Sequence, residues 1–167
     1  MLRFALVALL ATSACRISLE DDGVAPPPDG GGKQCMPVPA NPQCAMAEAM
    51  PDVSAKLGWI EQNIFVANCG GTSCHGTGSP FPVLTTGSHA KLVDVDTTLA
   101  PGRKLVVPGD VGKSYLMVIL RHLNLDQADP PAPAPARNAY MPAGLPPICC
   151  EKLDALERWI LAGAMND

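Results

Sequence analysis

Proline and glycine limit how much of this chain can fold into a regular domain. The 167 residues include 15 glycines and 18 prolines, too many for a uniformly folded protein. Residues 16–51 contain three consecutive prolines, three consecutive glycines and little apolar periodicity, a composition typical of a tether. Residues 129–135 are a second insertion, rich in proline and alanine, which predicts an irregular loop. We therefore predict a tether over residues 15–53 and one folded domain over residues 54–167.

The N-terminal segment is typical of an export signal. Arg3 precedes a short apolar run, too short to span a membrane, and small residues precede Cys15. Residues 12–15 resemble a bacterial lipobox, with Thr12 where leucine is usual, so we predict a signal peptide over residues 1–14 and lipid on Cys15. Ordinary cleavage with soluble secretion, or an uncleaved anchor, are the alternatives. All three place the protein outside the cytoplasm, and we expect it in the periplasm or, as a lipoprotein, on the outer membrane.

Apolar residues recur at spacings of three and four in three segments, and each spacing predicts an amphipathic helix. The first helix leads directly into Cys69, and the second follows a turn at residues 108–110 in which Asp110 is a plausible N-cap. The third spans residues 151–161. The pattern of residues 89–99 predicts neither helix nor strand. The three apolar faces contain Leu57, Trp59, Ile60, Ile64 and Phe65; Tyr115, Leu116, Ile119, Leu120 and Leu123; and Leu153, Leu156, Trp159 and Ile160.

Cys69, Cys74 and His75 form the motif with the clearest chemistry. Covalent attachment of c-type haem requires two thiols that add to the porphyrin vinyl groups and a histidine directly after the second thiol that binds the iron. Four residues separate the thiols here, whereas two are usual. Gly70 and Gly71 would permit the wider loop, because glycine accepts positive φ at little cost.

Two other interpretations of this motif remain open. Cys69 and Cys74 would form a disulfide in an exported protein, although this leaves His75 without a role. A zinc site would combine the two thiols with two of the histidines His75, His89 and His122.

Five sequence elements outside and around the motif occur in a characteristic order. They are residues 64–69 (IFVANC), 74–76 (CHG), 107–110 (VPGD) with 114–116 (SYL), 141–142 (MP) and 159–164 (WILAGA). Together they resemble the cytochrome c superfamily, in particular the cytochrome-c-like domains of exported planctomycete and deltaproteobacterial proteins and lipoproteins. The resemblance covers residues 54–167. It implies an all-α fold of three or more helices around one covalently bound haem, with long irregular loops, and electron transfer rather than catalysis.

The resemblance also implies the roles of individual residues. Cys69 and Cys74 would carry the thioether bonds, His75 would be the proximal iron ligand and Met141 the distal ligand. His89 and His122 are the alternative distal ligands. A haem peroxidase with an open distal position and a disulfide-stapled lipoprotein interaction module without haem are the alternative functions.

Four further cysteines allow three disulfide pairings. The short separation of Cys35 and Cys44 favours a local bridge between them. Cys149 and Cys150 would then form a vicinal disulfide or remain thiols. A redox-active dithiol at this pair is a further option. Crossed pairings would instead join the tether to the last helix.

The charge pattern limits the partners. With a net charge of −4 and 12 lysines and arginines, the chain has no basic stripe to neutralise phosphates. We therefore expect no nucleic-acid partner; the expected partners are a redox protein and, through Cys15, a membrane.

Overall fold

The computed structural model describes Cys35, residues 41–123 and residues 140–167, all within one compact unit that spans Lys33–Asp167. The predicted signal peptide, Cys15 and the 129–135 insertion lie outside the described residues. The described part contains six α-helices and one π-helix. They are α1 (Pro42–Ala49), α2 (Pro51–Ser54), α3 (Leu57–Ile60), the π-helix (Glu61–Cys69), α4 (His89–Leu92), α5 (Tyr115–Leu120) and α6 (Cys150–Leu161).

The helix predicted to lead into Cys69 is present, but its second half is a π-helix. Leu57, Ile60, Ile64 and Phe65 are all buried, as their spacing predicts. The wider turn of a π-helix brings residues five apart onto one face. The Cys69 thiol accordingly lies 3.9 Å from the carbonyl oxygen of Ile64.

Helix α6 is the organising helix of the core. It begins one residue before the predicted start and buries all four residues of the predicted apolar face. Gly163 has a φ of +96° and ends it, and the amide of Ala164 then donates to the carbonyl of Trp159 at 2.9 Å. Helices α1, α2, α3 and α5 all pack against α6.

Helix α5 is shorter and more deeply buried than its sequence pattern predicts. All six of its residues are buried, whereas Leu123 lies beyond its end. Its N-cap is Ser114, and Asp110 instead accepts a hydrogen bond from the amide of Lys113 at 3.0 Å. The prediction of Asp110 as the N-cap was therefore wrong, because this side chain closes the preceding turn.

The folded part begins earlier than the predicted boundary. Residues 41–53 were assigned to the tether, but helix α1 lies there and packs against α6. Asn41 caps α1 by accepting from the amide of Cys44 at 2.9 Å. The guanidinium of Arg158 donates to the carbonyl of Ala47 at 3.0 Å and to the hydroxyl of Ser54 at 2.9 Å. These contacts from α6 hold a segment whose own apolar pattern is weak.

The segment that the pattern left open contains α4 and then only isolated bridges, which pair Val93 with Val106 and Asp96 with Lys104. Within the described ranges no strand forms, so an all-α class is confirmed at that level. No helix among these residues is long and apolar enough to cross a membrane.

Candidate functional site

The motif residues lie in a tight loop at the end of the π-helix. The amide of His75 donates to the carbonyl of Cys69 at 2.9 Å, which closes the loop across its base. The amides of Cys74 and Gly76 both donate to the carbonyl of Gly71, each at 2.9 Å. The four intervening residues therefore form a folded-back turn that keeps both cysteines and His75 in one local unit.

Glycine is required in this loop for space and not for positive φ. Gly70 has a φ of −77°, and neither Gly70 nor Gly71 is among the residues with positive φ, so the expected conformational role was wrong. A Cβ on Gly70 would lie 2.8 Å from the carbonyl oxygen of Val66, and one on Gly76 would lie 2.5 Å from that of Gly70. The turn thus depends on close backbone approach at Gly70 and Gly76.

Cys69 and Cys74 both remain thiols. The alternative disulfide between them is therefore absent from the structure. Burial, reinforced by the neighbouring Cys74, raises the pKa of Cys69 to about 11, while the ammonium of Lys152 opposes this shift. At neutral pH Cys69 is an uncharged thiol packed against the core.

His75 is held in a defined orientation. Its Nδ1 lies 2.9 Å from the carbonyl oxygen of Pro82, and its ring contacts that of Phe81 with 5.8 Å between centroids. A carbonyl can only accept, so Nδ1 carries a proton, and in the neutral ring the lone pair is on Nε2. Nε2 makes no hydrogen bond within the described residues. Histidines that bind metals are oriented by this same contact to a carbonyl.

The other two histidines use Nε2, rather than Nδ1, for hydrogen bonds to backbone carbonyls. Nε2 of His89 lies 2.9 Å from the carbonyl oxygen of Ala164. Nε2 of His122 lies 3.1 Å from that of Met141, and its ring stacks on Tyr140 with 4.9 Å between centroids. Both therefore have structural roles.

The structure does not bring the predicted zinc ligands together. Over the described residues, which include all three histidines and both motif cysteines, the only set of three ligands close enough to share an ion is Cys44, Cys149 and Glu151. Its two cysteines are joined in a disulfide, so they offer no thiolates.

Met141 lies apart from the motif loop in sequence and is held by the C-terminal end of α5. Its amide donates to the carbonyl of Ile119 at 3.0 Å, and its side chain is half-buried against the core. No hydrogen bond joins it to Cys69, Cys74 or His75. The motif loop itself groups Cys69, Cys74 and His75.

The disulfides follow the crossed arrangement. Cys35 is bonded to Cys150 and Cys44 to Cys149, with Cα atoms 5.3 and 6.3 Å apart. The favoured local bridge between Cys35 and Cys44 was therefore wrong. Helix α1 packs against α6. This packing brings Cys44 in α1, and Cys35 before it, to the two consecutive cysteines at the start of α6.

Lys152 is a buried cation that the sequence interpretation missed. It is only 2% exposed, and its Nζ donates to the amide oxygens of Gln43 at 3.1 Å and Asn68 at 3.3 Å. Burial lowers its pKa, and the thiol of Cys69 acts in the opposite direction. Its place four residues before Leu156 on the apolar face of α6 was the signal that could have identified it.

An open cavity of about 250 Å³ borders Lys152. It lies between the end of the π-helix, the loop after Met141 and the first turn of α6. Its walls are mainly apolar and include Ala67, Pro142, Leu145, Pro147 and Ile148.

The donors of the motif loop fit a covalently attached haem: two thiols, and a histidine with its Nε2 lone pair available. No protein-family model, curated protein or solved structure matches this chain.

Proposed function

We propose that this protein is an exported c-type cytochrome domain that transfers single electrons through one haem. The observation that carries the proposal is the hydrogen bond from His75 Nδ1 to the carbonyl of Pro82. It leaves Nε2 as the free nitrogen, one residue after a thiol. In this tautomer of the neutral ring, Nε2 is the nitrogen that can bind iron.

Each residue of the motif loop has a part in this function. Cys69 and Cys74 would hold the haem through thioether bonds, and His75 would be the proximal ligand, with Met141 as the distal ligand. When bound, haem supplies a reversible one-electron couple. The chain contributes the tight turn that fixes both thiols and the carbonyl that orients His75.

Export is supported by the two disulfides. Such bonds form and persist in oxidising compartments, which agrees with the predicted signal peptide and with lipid at Cys15. A redox partner would approach the site through a small, transient interface.

The deciding experiment is periplasmic expression with haem-attachment machinery, followed by denaturing electrophoresis and a haemochrome spectrum. We expect covalent haem in the unmodified protein, a changed spectrum when either Cys69→Ser or Cys74→Ser removes one thioether, and no covalent haem in the double variant. Cys44→Ser/Cys149→Ser is the matched control that removes two cysteines outside the motif, and it should retain haem. A colourless, fully folded unmodified protein would refute the proposal and favour the interaction module.

The same preparation tests the peroxidase alternative. A six-coordinate electron carrier has no open iron position, so it should not turn over peroxide. Rapid peroxide consumption by the haem-loaded, unmodified protein would favour the enzyme.

A further inference from the structure

The buried ammonium of Lys152 has no ion-pair partner among the described residues. It is buried, and no described carboxylate forms an ion pair with it; its two acceptors are the neutral amides of Gln43 and Asn68. A buried ammonium without a counter-charge is costly.

The hydrogen bonds of Lys152 are also incomplete. An ammonium has three N–H donors, and two are used, so one has no acceptor among the described residues. Lys152 lines the cavity together with Asn68, so a molecule in that cavity would be the natural acceptor.

The position of Lys152 in α6 is also electrostatically unfavourable for a cation. It is the third residue of the helix, which has no side-chain N-cap. The positive end of the helix dipole disfavours a cation and favours an anion at this place. The first turn contains one carboxylate, Glu151, but it forms no ion pair with Lys152 among the described residues. The helix end therefore adds to the preference of the buried ammonium for an anion.

The cavity walls define the rest of the ligand. Pro142, Leu145, Pro147 and Ile148 are apolar, and Lys152 is the only cationic residue of the lining. The cavity volume of about 250 Å³ is below the range of about 300–1,000 Å³ for drug-sized ligands. One positive charge among apolar walls matches a small apolar molecule with one negative charge.

We infer that this cavity is a binding site for a small apolar monocarboxylate, whose carboxylate accepts the free N–H of Lys152. None of the four proposed haem-binding residues lines the cavity, although Asn68 and Pro142 adjoin Cys69 and Met141 in sequence. The inference does not depend on the proposed function. A carboxylate of a bound haem is the other source of the same chemistry.

Benzoate is a suitable probe, with benzamide as its uncharged counterpart. In a calorimetric or NMR titration of the full chain with both disulfides intact, we expect benzoate to bind and benzamide to bind at least about tenfold more weakly, since a charge-assisted hydrogen bond is lost. Lys152→Met, which keeps an apolar stem, should weaken benzoate binding by a similar factor. Lys56→Met removes an exposed lysine with a side chain 59% accessible and should have no effect.

Three outcomes of the haem-free titration would overturn the inference. They are equal binding of benzoate and benzamide, unchanged benzoate binding in Lys152→Met, and no benzoate binding at millimolar concentrations. The titration is repeated on haem-loaded protein, where binding should persist. Binding only to haem-free protein would assign Lys152 to a haem carboxylate and reject a separate ligand. Because the first titration needs no haem, it tests the inference independently of the proposed function.

Discussion

At the scale of single residues, Gly76 is the least replaceable member of the motif loop. A Cβ there would lie 2.5 Å from the carbonyl oxygen of Gly70 and 2.9 Å from that of Gly71, and both are backbone atoms that cannot move independently. We expect Gly76→Ala to lower the free energy of unfolding by about 1–3 kcal/mol, the usual cost of overpacking. Urea unfolding measures this.

Gly71→Ala is the matched control for this prediction. Its Cβ would have one near neighbour, the sulfur of Cys74 at 3.8 Å, an ordinary contact. Equal destabilisation by both substitutions would show that the crowding at Gly76 is not the cause.

Cys69 gives the molecule a specific alkaline sensitivity. Burial raises its thiol pKa from 9.0 to about 11 in the folded chain, so the unfolded chain ionises first as the pH rises. Below pH 9 the thiol is neutral in both states, so its full contribution to the free energy of unfolding is present. This contribution is lost as the pH rises through 11. A difference of this size corresponds to about 2–3 kcal/mol.

The measurement compares the haem-free protein with its Cys69→Ala variant in urea over this pH range. As the pH rises, the unfolding free energy of the unmodified protein should fall relative to that of the Cys69→Ala variant. A gap independent of pH would contradict the raised pKa.

At the scale of elements, two disulfides attach the start of the fold to α6. Helix α1 has eight residues, too few to be stable alone in water. Removing one bridge with Cys35→Ser/Cys150→Ser should cost about 2–5 kcal/mol, measured by urea unfolding with a count of free thiols.

A mismatched double variant tests the pairing itself. Cys35→Ser/Cys149→Ser leaves Cys44 and Cys150 without their native partners, so it should lose both bridges and be less stable than the matched variant. Equal stability of the two variants would contradict the crossed arrangement.

At the scale of the whole molecule, the spectrum and reduction potential of the haem-loaded protein should depend on Met141, which is far from the motif in sequence. Met141→Ala should abolish a sulfur-to-iron charge-transfer band and lower the reduction potential, because thioether ligation favours reduced iron. Met165→Ala is the control, because Met165 is 60% exposed. An unchanged spectrum in Met141→Ala would reject Met141 as the ligand.

Much of the fold was predictable where the pattern is local. The apolar faces before Cys69 and along α6 repeat with the helical period, so burial of Ile64, Leu156 and Trp159 followed from spacing alone. Helix α1 was not predictable in this way, because contacts from Arg158 and two disulfides stabilise it rather than its own apolar pattern.

The sequence by itself determined the main helices and the grouping of Cys69, Cys74 and His75, because period and adjacency are properties of the local chain. Only the tertiary structure decided the disulfide partners, the crowding at Gly70 and Gly76, the tautomer of His75 and the burial of Lys152. Each of these depends on groups that are distant in sequence or on backbone approach within a folded turn, and residue order does not encode such distances directly.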